Sequence, residues 1–145
     1  MKNNFDFNDL ICEISNDIEN TMKTKITDKI IEISEKSVQE NVLDVYEPQY
    51  YKRRSGHNSG GLKDTWKSEV TNNNDKISLK IKNDAKPINS KDGVDLDEMI
   101  EYGISTEKDA PIYKRPRPFI EPVQEELENT DIIEKILKEN ISYIK

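Results

Sequence analysis

The chain is poor in the residues that do chemistry. Its 145 residues hold one cysteine, one histidine and one tryptophan. A single Cys12 excludes an internal disulfide framework and a thiolate zinc site. A single His57 excludes any site built from several histidines. His57 lies in Arg54-Ser-Gly-His-Asn-Ser-Gly-Gly61, and between glycines it lacks the rigid orienting partner that a Ser-His-Asp arrangement needs. The same stretch lacks the Gly-Lys-Ser/Thr ending of a phosphate loop and does not follow a buried strand. No apolar run approaches the ~20 residues of a membrane span, and no cationic and apolar signal region opens the chain. A protein without a membrane partner, made in a reducing cytoplasm, is expected, with no enzymatic activity, no cofactor and no metal.

Apolar residues make up 33% of the chain and charged ones 35%. That balance predicts a thin core and a large wet or partner-facing surface, while the phasing of the apolar residues argues against disorder. Cys12 stands among Leu10, Ile11 and Ile14 and is expected to be a buried, reduced thiol. Asp92, Asp95, Asp97, Glu98 and Glu101 fail the calcium-loop pattern, because Gly93 falls in the wrong place and Val94 interrupts. They read as the solvated start of a helix. Glu125, Glu126 and Glu128 read as favourable charge early in a later helix.

The net charge of −7 conceals strong segregation. Residues 1–47 carry five Lys/Arg and eleven Asp/Glu, whereas residues 48–91 carry ten and four. Residues 92–110 carry one and seven, 111–118 three and none, and 119–145 three and seven. The signs alternate along the chain, a distribution able to steer copies into head-to-tail contact, basic loop against acidic face.

From Phe7 to Val45 the apolar residues recur at steps of three to five, which predicts an amphipathic helix capped by Asn4 or Asp6 and ended by Pro48. Some 40 residues at ~1.5 Å each make a rod of roughly 60 Å. A compact chain of this length is only about 40 Å across. Either the rod breaks around Asn20–Thr27 or its end packs on another subunit. Trp66–Val70 and the alternating Ile77-Ser-Leu-Lys-Ile81 predict a hairpin, with Lys76, Lys80 and Lys82 facing water or protecting an edge. Leu96, Met99, Ile100 and Gly103 predict a short helix. From Pro118 a second long amphipathic helix is expected, with Pro122 tolerated in its first turn and a kink or restart at Asn129-Thr-Asp131. The fold class is therefore α+β: a small antiparallel sheet flanked by a long N-terminal helix and a C-terminal helix, with long loops. One domain covers 1–145, made of a helical region (1–46), a Tyr/Arg loop (47–61), sheet and short helix (62–117) and C-terminal helix (118–145).

The Tyr/Arg loop carries Tyr46, Tyr50, Tyr51, Lys52, Arg53 and Arg54 on a backbone made pliable by Gly56, Gly60 and Gly61. Cationic and aromatic side chains on such a loop suit contact with a partner better than catalysis, which needs a group held still. With Tyr113, Lys114, Arg115 and Arg117 they are also the residue types that grip nucleic acid. A pI near 4.9 and the lack of a groove-reading motif stand against that as the main activity.

Two motifs occur in order: Tyr46-Glu-Pro-x-x-Tyr50-Tyr-Lys-Arg53-Arg54 with Gly60-Gly-Leu62-x-Asp64, and Ile100-Glu-x-Gly103 with Arg115-Pro-Arg-Pro-Phe119-Ile-x-Pro122 ahead of a Glu-rich helix. Together they resemble the small tail-completion and head–tail joining proteins of long-tailed bacteriophages and prophages. The resemblance runs from about Tyr46 to the C-terminus. It implies a non-enzymatic virion protein, commonly a homo-hexameric ring, at the head-proximal end of the tail. There it would end the tail tube or join it to the head–tail connector, and passing DNA is a possible non-specific contact. Tyr46, Tyr50, Tyr51, Arg53, Arg54, Leu62, Arg115, Arg117 and Phe119 would then be interface residues. Other neck roles, stopper or adaptor, and a nucleic-acid-binding accessory module remain open.

Overall fold

In a computed structural model of the chain, residues 6–44, 61–73, 76–85, 100–101 and 117–141 are described. They form an α+β fold. Two helices, α1 (Phe7–Thr21) and α2 (Thr27–Val38), lead into an antiparallel hairpin of β1 (Trp66–Asn73) and β2 (Lys76–Asn83). Two more helices follow, α3 (Ile120–Asn129) and α4 (Ile132–Asn140). Helix α2 packs on α3, α1 packs on α4, and β1 lies against the junction of α1 and α2.

Asp6 starts α1, its carboxylate accepting the Asn8 amide at 2.9 Å. The rod does not break at Asn20–Thr27. It loosens into a π-helical turn, Met22–Ile26, and a second such turn, Gln39–Leu43, ends it. The spacing of the apolar residues explains the first. Ile14, Ile18, Met22, Ile26 and Ile30 recur at steps of four. At ~100° per residue each such step overshoots a full turn by about 40°, so a strict α-helix would wind this stripe around itself. A π turn inserts one extra residue and brings the stripe back. The threonines of this stretch bond back to its carbonyls, a competition with the backbone ladder that bends and loosens helices. Thr27 Oγ1 donates to Met22 O at 2.6 Å, and Thr21 and Thr24 donate to the carbonyls of Asp17 and Asn20.

The hairpin is longer than its apolar alternation predicts, because its ends are polar. Its register puts Trp66, Val70, Leu79 and Ile81 on one face and Lys67, Glu69, Lys76, Lys80 and Lys82 on the other. A two-stranded sheet is marginal alone, and this one is held by its ends. Asn83, buried, donates to Leu62 O at 2.6 Å and accepts the Ala85 amide at 3.0 Å. At the far end Asn72 donates to Glu19 at 3.0 Å on α1.

The core contains Val38, Val42, Leu62, Ala85, Ile100 and Phe119, with Leu43, Trp66 and Ile120 packed against it. The Trp66 and Phe119 rings meet edge to face, centroids 6.4 Å apart. Ile26, Ile33, Val123 and Ile141 are buried as well. The C-terminal helix does restart where expected. Thr130 is extended, with φ −126° and ψ 152°, so Asn129 ends α3 and α4 begins at Ile132. Cys12 corrects the sequence reading: it is exposed, not buried. It lies in the early turns of α1, where Phe7 and Ile11 are exposed too. The described part of the predicted short helix is Ile100 and Glu101.

Candidate functional site

The two halves of the second sequence motif meet. Ile100 O accepts the Arg117 amide at 2.8 Å. The next residue, Glu101, then reaches the N-terminus of α3. Its Oε2 accepts the amides of Phe119 at 2.7 Å and Ile120 at 3.0 Å, and its Oε1 that of Glu121 at 3.2 Å. Pro122 follows and has no amide. One carboxylate from elsewhere in the chain therefore takes every amide from 119 to 122, which α3 itself cannot pair. Its negative charge also sits at the positive end of the helix dipole. Glu101 is only 7% exposed, a burial that three charge-assisted bonds make tolerable. This corrects the reading of Glu101 as one of a solvated acidic group. The opposite side of the junction is closed by Ser37, which donates to Phe119 O at 2.6 Å.

The structure places the residues expected at an interface in three ways. Leu62 and Phe119 belong to the chain's own core. Arg117 is half-buried, its amide held by Ile100. Tyr46, Tyr50, Tyr51, Arg53, Arg54 and Arg115 lie outside the described residues, as does His57. Sequence reading missed Glu101. The available signal was the Phe119-Ile-Glu-Pro122 helix start, which offers no capping side chain of its own.

The surface electrostatics centre on the hairpin. Lys67 and Lys82 are directly opposed across the strands, an arrangement that is unfavourable for like charges. Asp84 answers both, bonding Lys67 and standing 3.3 Å from Lys82. The Lys67 hydrogen bond first, and the Lys82 one second, hold its carboxyl below the usual range. Glu19 is lowered likewise, chiefly by Lys23 at 2.5 Å and then by Asn72. In α4 the Lys138 bond lowers Glu134 and in return raises Lys138. All three carboxylates are on the surface, so salt screens them.

Two further surface features stand out. On α1, Phe7 is 66% and Ile11 49% exposed. Between α2, the hairpin and α3 runs a groove of about 370 Å³, lined by Ile30, Trp66, Leu79, Ile81, Val123 and Leu127 among others. The Trp66 indole N–H beside it is buried without a hydrogen-bond acceptor. Among the described residues no group of His, Cys, Asp and Glu is placed to hold a metal ion, and no helix is long and apolar enough to cross a membrane. The arrangement is one of surfaces and structural clasps.

The model of the YomN family matches residues 6–143. No curated protein and no solved structure matches the chain.

Proposed function

The chain belongs to the YomN family and is a phage-related protein, and from that premise we propose that it is a non-enzymatic structural protein of a phage or prophage virion. In this reading copies of the chain form a ring, a hexamer by the resemblance of its motifs, at the head-proximal end of the tail. The ring ends the tail tube or joins it to the head connector. The observation that carries the reading is the clasp between Ile100-Glu101 and Arg117–Pro122. The two halves of the second motif, one of the pair that resembles tail-completion proteins, are one physical unit, at the junction of core and C-terminal helix. The α+β architecture is the one that resemblance implies.

Imaging of particles made without the protein tests the proposal and separates the neck roles. A terminator's loss gives overlong tails, whereas a stopper's loss gives heads that leak their DNA. Normal, infectious particles in its absence would overturn it.

A further inference from the structure

The two faces of the hairpin differ in kind. Trp66, Val70, Leu79 and Ile81 share the face turned to the helices, and all are half-buried. On that face Asn72 also bonds to Glu19 of α1. The opposite face carries Lys67, Lys76, Lys80 and Lys82, the one acid Glu69, and otherwise Thr, Asn and Ser. These four lysines and Glu69 are exposed, and the face has no apolar residue. Asp84, at its base, bonds Lys67 and stands near Lys82, but both lysines keep more than half of their side-chain surface in solvent.

That composition decides what kind of partner the face fits. Protein interfaces are built round an apolar core and are depleted of lysine. Lysine together with Ser, Thr and Asn is the set that contacts nucleic-acid phosphates. The shape agrees with the chemistry. The major groove of B-DNA, about 12 Å wide, admits a two-stranded ribbon. Each strand here has eight residues, which at ~3.3 Å apiece give a ribbon about 26 Å long. The helices lie behind it and leave the lysine face outward.

We propose that the outer face of this hairpin lies in the major groove of duplex DNA, with Lys67, Lys76, Lys80 and Lys82 directed to the phosphates. The contact involves one chain and one duplex, so it stands apart from the ring reading. Asp84 ties Lys67 and Lys82 together, so that the pair counts as one cation and about three phosphates are neutralised. Between about 50 and 200 mM salt the affinity should then fall about 40-fold. The chain as a whole has a net charge of −7, which keeps the contact weak and makes low salt the place to measure it.

The test is the anisotropy of a short fluorescein-labelled DNA duplex titrated with the full chain. Lys76→Gln with Lys80→Gln alters two exposed lysines that Asp84 does not hold. It should weaken binding at least ~10-fold and lower the salt slope by about two units. Glu69→Gln removes the one acid of the face and should strengthen binding several-fold. Circular dichroism and Trp66 fluorescence should be those of the parent in both variants. An RNA duplex of the same sequence should bind several-fold more weakly, because its major groove is too narrow for the ribbon. Four outcomes overturn the proposal: no binding at low salt, lysine variants that bind like the parent, an RNA duplex bound equally well, or displacement of the duplex by polyglutamate as effectively as by unlabelled DNA. The last would mark the face as a seat for an acidic protein.

Discussion

The Glu101 carboxylate accepts the Phe119 amide at 2.7 Å, and by that bond a residue eighteen positions away in sequence caps a helix that has no cap of its own. The capping box found at many helix starts does this within four residues. Here it is done across the core, so forming α3 and docking it are a single event. Glu101→Ala should orphan three amides and cost about 2–3 kcal/mol of stability, read from the urea midpoint. Glu101→Gln keeps one good acceptor and should cost less. Equal stability of parent and Glu101→Ala would show the clasp to be incidental.

Phe119 is the most enclosed large side chain of the core and touches Trp66. Phe119→Ala should cost about 3–5 kcal/mol, enough to unfold a chain of ordinary stability. Phe119→Leu keeps most of the volume and should cost about 1–2 kcal/mol. Trp66 is the only tryptophan, so its emission follows this junction directly: a red shift is expected for the alanine variant and little change for leucine.

The apolar periods made the helical rod and the hairpin legible, since burial of one face is a local, repeating demand. The restart near Asn129 was legible from its turn-forming residues. Glu101 was not. Nothing in its own neighbourhood distinguishes it from the acids before it, and its role exists only because the chain returns to it at Phe119. Cys12 misled for the opposite reason: its surroundings are apolar, but the elements that cover such a stripe stop short of it. Local pattern tells which face is apolar. It does not tell how far along the face a partner extends.

Acid should loosen the hairpin before the core. Glu19 and Asp84 are both held below the usual carboxylate range, by Lys23 and by Lys67 first. A carboxylate whose folded pKa is depressed contributes stability above its unfolded pKa, and that contribution is lost as the pH falls through the folded value. Stability is therefore expected to fall below about pH 4. Asp84→Asn leaves Lys67 and Lys82 facing each other unanswered. It should lower stability at pH 7 and flatten the acid limb of the curve. Moderate salt should shrink the difference between variant and parent, since the lysines are exposed and Asp84 is only half-buried.

The exposed Cys12 should react with a maleimide reagent in the dilute native protein almost as fast as in the urea-unfolded chain. Protection by orders of magnitude at the same dilution would mean that the α1 stripe is covered by its own chain after all.

Deleting single residues should separate the π turn from ordinary helix. The first π turn holds one residue more than an α-helical path needs, and Lys25 within it is exposed. Removing Lys25 lets the rod close as an α-helix, with the faces before and after it still aligned. The expected cost is about 1 kcal/mol or less, with helical circular dichroism retained. Removing Glu35 from α2 has no such slack. Everything beyond it rotates by ~100°, which would turn Val38 and Val42 out of the core they share with Phe119. That variant should fail to fold. If the Lys25 deletion is as damaging as the Glu35 deletion, the π turn serves some purpose other than realigning the stripe.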